Sequence, residues 1–267
     1  MRIGRVLAIV LRQLYLMRGS PARVLPVFAW VAIDIVLWGY ITRYLNSVAN
    51  AQIDFVSALL GAVLLWDFFT RVMQGVSTTF LEDVWSRNFL NLFATPLSIS
   101  EYVAGLVASS IATSLVGLAV MLVLASAVFG LSFLSYGLLL VPFLLVLWLF
   151  GIALGITASA VVLRLGPASE WFVWPLPALI SPFAGVFYPV TTLPSWMQVL
   201  AHLLPPSYVF EGMRAVAAGR PFSAVSLLGG AALAMLYIAL AYLFFASVHR
   251  HAVRTGLIAR YSAETVS

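Results

Sequence analysis

Few side chains in this sequence can carry a charge or move a proton. Three sit inside otherwise apolar stretches: Asp34, Asp67 and Arg71. Ionised groups in such surroundings are costly, and each therefore raises a functional question. Asp67 and Arg71 are four residues apart and can pair on one helix face. Two readings stay open, a buried structural pair and a proton or ion relay. Glu211 and Arg214 are three apart and pair in the same way. His202, His249 and His251 form no H-E-x-x-H motif, no G-x-S-x-G elbow is present, and no metal centre or catalytic residue is expected. All fourteen basic residues are arginine. Without lysine there is no ammonium for a G-x-x-x-x-G-K-[ST] phosphate loop and no amine for a Schiff base, so the chain is not expected to hydrolyse ATP or to bind a cofactor by itself. Without cysteine there are no disulfides and no thiolate ligands.

The scaffold that must position these groups is membranous. Of the 267 residues 63% are hydrophobic and 9% charged, whereas soluble domains are roughly 25% charged. The net charge of +5 does not point to nucleic acid, because the arginines flank apolar runs instead of clustering with aromatics on a soluble face. Such flanking charges set topology and attract lipid head groups.

A crossing helix needs about 20 mostly apolar residues. Spans are expected over 24–41, 55–81, 102–128, 136–163 and 222–248. The tract from Tyr102 to Leu163 contains no charge and is too long for one span; the aromatic, glycine and serine cluster from Phe129 to Gly137 divides it. A further span over 171–190 holds Pro175, Pro177, Pro182 and Pro189, so it is predicted to be kinked and packed against its neighbours. Residues 193–219, broken by Pro205-Pro206, fit two short helices that enter the outer leaflet and return. The fold class is thus an all-α membrane protein with six spans.

Arginine placement puts both termini on the cytoplasmic side. Arg2, Arg5, Arg12, Arg18, Arg23, Arg87, Arg164, Arg250, Arg254 and Arg260 fall there, and Arg43, Arg214 and Arg220 fall outside. Ala49-Asn50-Ala51 resembles a signal cleavage site, but 23 residues precede the first apolar run and Asp34 interrupts it, so cleavage is not expected.

Two elements lie outside the spans. Residues 1–20 hold Ile3, Val6, Leu7, Val10, Leu11 and Leu14 on one helical face with Arg5 and Arg12 opposite, the pattern of an interfacial helix. It serves either as a plain anchor or as a surface for a cytoplasmic partner. Residues 83–95 are predicted as an amphipathic helix on which Trp85, Phe89, Leu92 and Phe93 share a face while Arg87 and Asn91 point away. That helix either seals the end of the second span or receives motion from a soluble motor. Ser98-Ile99-Ser100-Glu101 matches a capping box that would start the third span. Gly105, Ser109, Thr113 and Gly117, and the Gly151/Gly155 pair, allow close helix packing; a seam with a second copy is the sharper reading.

The order of these elements resembles the permease subunits of type-2 ATP-binding-cassette exporters over essentially the whole chain. The stretches that carry the resemblance are 91–101 (NLFATPLSISE), 181–194 (SPFAGVFYPVTTLP) and 204–214 (LPPSYVFEGMR). It implies a homodimeric or heterodimeric permease in a bacterial cytoplasmic (inner) membrane, in contact with lipid and driven by two separate ATP-binding subunits that carry ATP and Mg. Trp85, Arg87, Asn88, Phe89, Asn91 and Leu92 would then form the coupling helix, with Arg5 and Arg12 beside it. Pro182, Tyr188, Pro189, Glu211 and Arg214 would belong to the outer gate or re-entrant segment. The implied cargo is a lipid, an amphipathic drug or a lipid-linked glycan. The alternatives are a stand-alone secondary transporter or channel, and a membrane assembly subunit that transports nothing.

Overall fold

The structure, a computed structural model, describes residues 2–48, 59–86, 89–130, 138–221 and 223–257. Five long helices form its body: α2 (Pro21–Val48), α3 (Gly61–Trp85), α5 (Ile99–Phe129), α6 (Leu140–Leu165) and α10 (Ala224–Arg254). Shorter ones are α1 (Ile3–Arg18), α4 (Phe89–Ala94), α7 (Leu176–Ile180), α8 (Ser195–His202) and α9 (Pro205–Ala217). No strand occurs among the described residues.

Helix α3 is the axis of the bundle. Its Phe68, Phe69, Val72, Met73, Val76 and Phe80 are all buried, and it packs on both α5 and α6. The approach to α6 is close because α6 offers glycine at the crossing. A Cβ on Gly151 would lie 2.9 Å from Val72, and one on Gly155 would lie 2.7 Å from the Met73 carbonyl oxygen. The Gly151/Gly155 pair therefore serves packing within the chain, as Gly105 does against Ile9 of α1 and Gly117 against Arg71 of α3. None of these four glycines is left to form a seam with a second copy. Helix α10 covers the far side of α6, where Phe150 meets Tyr237 at 5.4 Å, and reaches α3 through Phe80 and Phe245 at 6.1 Å.

Helices α5, α6 and α10 are long and apolar enough to cross a membrane. At 1.5 Å per residue even the 26 residues of α6 span about 39 Å, more than the roughly 30 Å hydrocarbon core. They also expose aliphatic side chains that a water-soluble protein would bury, among them Leu115, Val123, Val141, Leu236 and Leu243. Helix α5 ends at Gly130, whose φ of +65° lets its amide return to Ala125 and Ser126. Residues 131–137, in which the dividing hairpin was expected, lie outside the described residues.

The predicted span over 171–190 is not one helix. A 3₁₀ turn at Pro167–Phe172 is followed by the five residues of α7, a run of turns and a second 3₁₀ turn at Val190–Thr192. Pro175, Pro177, Pro182 and Pro189 each remove an amide donor, and no two are far enough apart to leave room for a long regular run. The chain nevertheless travels the length of the bundle here. Glu170 meets Trp85 at the last turn of α3, whereas Val186 and Val190 meet Arg214 and Glu211 of α9, and α9 packs on Trp66 near the start of α3.

Candidate functional site

Helix α1 lies across the end of the bundle where α3 finishes and α5 begins. The capping box of α5 is formed: the Ser98 hydroxyl accepts from the Glu101 amide at 3.3 Å, and the Glu101 carboxylate accepts from the Ser98 amide at 3.0 Å. The same carboxylate also accepts from the Arg2 amide at 2.7 Å and from the Arg5 guanidinium at 3.0 Å. These donors, the Arg2 amide foremost, then the Ser98 amide and Arg5, hold its pKa at about 2. Glu101 precedes the apolar run that starts at Tyr102, so it is both the cap of α5 and the dock of α1.

Two turns further along α1, Arg12 donates to Asp83, whose other oxygen accepts the Tyr102 phenol at 2.8 Å. Gln13 donates to Glu82. Arg5, Ile9, Arg12 and Gln13 thus form the docked face. Ile3, Leu7, Leu11 and Leu14 turn outward and are exposed, which suits a helix whose outer side lies against lipid. The sequence pattern revealed the two faces of α1 but not its acidic receptors. The available signal was charge complementarity, since Arg5 and Arg12 are the cations of one helical face and Glu82, Asp83 and Glu101 flank the apolar runs next to it.

The amphipathic helix expected over 83–95 is shorter. Helix α3 continues to Trp85, Ser86 closes it, and α4 covers only Phe89–Ala94. Trp85 therefore belongs to α3 and not to the helix of Phe89; it is half exposed and its indole donates to Glu170 at 2.7 Å. Phe89 is fully buried, 5.6 Å from Phe80 and 6.2 Å from Tyr102 by ring centroids. Asn91 is exposed and Leu92 half-buried. Arg87 and Asn88 lie outside the described residues. Leu92, Thr95, Pro96 and Leu97 face Arg5, Ala8, Ile9 and Arg12 of α1 across an open groove of about 300 Å³.

At the other end of the bundle, Glu211 accepts from the Val190 amide at 2.7 Å and from Arg214 at 2.9 Å, and Arg214 donates to the Val186 carbonyl at 3.4 Å. The Tyr188 phenol donates to the Pro182 carbonyl at 2.8 Å. Pro189 supplies the extended residue before the 3₁₀ turn at Val190. This pair and these prolines tie the broken segment to α9. Along α3, Arg71 donates to Asp67 at 2.9 Å. Among the described residues, no three His, Asp or Glu side chains converge as a metal site.

The family profile described as ABC-2 type transporter matches residues 5–217, from the first turn of α1 to the last residue of α9. The chain belongs to that family. Compared with curated proteins, it matches none. It is accordingly a multi-pass integral membrane protein and a permease component of an ATP-binding-cassette transporter, a class that works with ATP-binding subunits.

Proposed function

We propose that the chain forms half of the pathway of an exporter in a bacterial inner membrane, with six crossings and both termini in the cytoplasm. The crossing that comes fifth in chain order is the broken segment over 171–190. Two ATP-binding subunits dock at the α1 end, and a second permease copy completes the pathway. ATP and Mg are held by those subunits. A chain without lysine offers no phosphate loop of its own.

The observation that carries this reading is the groove between α1 and the α4–α5 connection. Arg5 and Arg12 line one of its walls and Leu92, Thr95, Pro96 and Leu97 the other. Arg164, Arg250 and Arg254 fall at the same end of the bundle, as the positive-inside rule requires of a cytoplasmic face. Because α1 is ion-paired to both α3 and α5, a push on α4 or α1 is transmitted to the long helices as one body. ATP moves such a body only through a difference in the motor's affinity for two arrangements, and a rigid shift of the two halves about their seam is the expected response. The cargo is a lipid, an amphipathic drug or a lipid-linked glycan.

The test is purification from the native membrane followed by ATPase assay. An ATP-binding subunit should accompany the chain at equal stoichiometry, and Asn91→Arg should lower that association while the permease still inserts in the membrane. Transport by the purified chain alone, without an ATPase, would overturn the reading in favour of a secondary transporter.

A further inference from the structure

Helix α3 presents an unusual surface to its surroundings. Between Asp67 and Thr79 its buried positions fill the core, and every partly exposed position apart from Gly75 is polar: Asp67, Thr70, Arg71, Gln74 and Thr78. These recur at steps of three and four and make one stripe along the helix. On α5, α6 and α10 the exposed positions at comparable depth are aliphatic, as lipid contact demands. A stripe with two ions, two hydroxyls and an amide would lose far more in hydrocarbon than an aliphatic one. The stripe therefore faces water or a polar guest.

The neighbouring elements cover it only in part. Helices α2 and α3 both pack on α5 and touch one another only sparsely, so α5 lies beneath the line where they meet. On α5 Gly117 makes room for the Arg71 stem, because a Cβ there would lie 3.3 Å from Arg71 Cδ. From the α2 side Asp34, partly buried, lies close enough to interact electrostatically with both Asp67 and Arg71. Among the described residues, two acidic side chains thus stand against one guanidinium. One turn beyond Asp34, Trp38 stacks on Phe187 at 5.4 Å, placing an aromatic surface on the same helix face.

We propose that the Asp34, Asp67, Thr70, Arg71, Gln74 and Thr78 surface is the polar wall of the translocation path and takes the positively charged head of an amphipathic cargo. The assignment rests on the permease reading and narrows its cargo to cationic amphiphiles. The carboxyl groups supply the attraction, Arg71 holds Asp67 in place through their 2.9 Å contact, and the hydroxyls and amide replace water lost from the head group.

The experiment measures binding of tetraphenylphosphonium, and of the equally sized anion tetraphenylborate, to the full chain in lipid nanodiscs by tryptophan quenching, with empty nanodiscs subtracted. The cation should bind, and Asp34→Asn and Asp67→Asn should each raise its Kd tenfold or more, with no weakening of the anion. Thr70→Val should raise the cation Kd two- to fivefold. If Asp67→Asn fails to fold, Asp34→Asn and Thr70→Val carry the test. A cation Kd unchanged by Asp34→Asn, or the same loss for both ions, would overturn the proposal. The variants should keep their ATP-binding partner on purification. A complex that was never present would instead count against the permease reading itself.

Discussion

Arg12 of α1 and Asp83 of α3 form the ion pair that seats the N-terminal helix on the bundle, and the Asp83 carboxylate also accepts the Tyr102 phenol. Asp83 is 1% exposed and Arg12 28%, so the carboxylate carries the burial. Removing Arg12 would leave that charge with one neutral donor. Breaking a buried pair costs roughly 3–5 kcal/mol, and the partial exposure of Arg12 puts Arg12→Gln near about 3 kcal/mol. That corresponds to a fall in Tm of about 6–12 °C for a chain of this size. Asp83→Asn made in the same chain should recover part of the loss, since it removes the stranded charge while keeping an acceptor for Tyr102. Thermal unfolding of the two single variants and the double variant measures the coupling.

Docking of α1 should be level across neutral pH and fail only in strong acid. The Glu101 carboxyl is depressed from 4.5 to about 2. A depressed carboxyl contributes stability that is complete above its unfolded value and is lost as pH falls through its folded value. The window is therefore about 4.5 down to about 2. The charged groups around it are Arg5 at the same carboxylate and, along the same docked face, Arg12 with Glu82 and Asp83. The absence of native cysteine allows two spin labels to be placed on single introduced cysteines in α1 and α5. The distance between them should hold from pH 8 to pH 5 in the wild type, and should already be broadened at pH 7 in Glu101→Gln.

Glycines of equal chemistry should respond with opposite sign. At Gly155 a side chain would strike the Met73 carbonyl and Val76, so Gly155→Leu should separate α3 from α6 and abolish folded protein in the membrane. At Gly229 nothing lies within 4 Å of an added Cβ. Gly229→Ala, in a helix interior, should gain roughly 0.5–1 kcal/mol by reducing backbone entropy in the unfolded chain. Expression level and Tm report both outcomes.

What could be read from the sequence was local. The Ser98/Glu101 box and the Asp67–Arg71 and Glu211–Arg214 pairs formed as spaced, because three or four residues along a helix fix their geometry whatever surrounds them. The helix pattern through Trp85, Phe89 and Leu92 was misleading for a related reason. It keeps its period across Ser86, and no proline or glycine marks where α3 stops, so two helices read as one. The docking of α1 joins residues 71 and 96 positions apart, and no periodicity encodes a contact of that range. The prolines of 171–190 announced a distortion. They did not show that the regular helix would shrink to Leu176–Ile180, because that depends on the anchors Glu211 and Arg214 provide from α9.

Phe89 and Asn91 separate support of the proposed coupling segment from contact with the motor. Phe89 is enclosed by Phe80 and Tyr102, so Phe89→Ala should cost about 3–5 kcal/mol and release α4 from the bundle. Asn91 is exposed two residues along, so Asn91→Ala removes no enclosed ring and should cost at most about 1.5 kcal/mol, the worth of one hydrogen bond. If α4 meets the ATP-binding subunit, Asn91→Ala should still lower cargo-stimulated ATP hydrolysis severalfold with a much smaller fall in Tm than Phe89→Ala, which lowers both together. A pair of variants in which hydrolysis follows Tm alone, with Asn91→Ala indistinguishable from wild type, would confine α4 to sealing the end of α3. The motor would then have to grip the chain through α1, where Arg5 is the residue to change next.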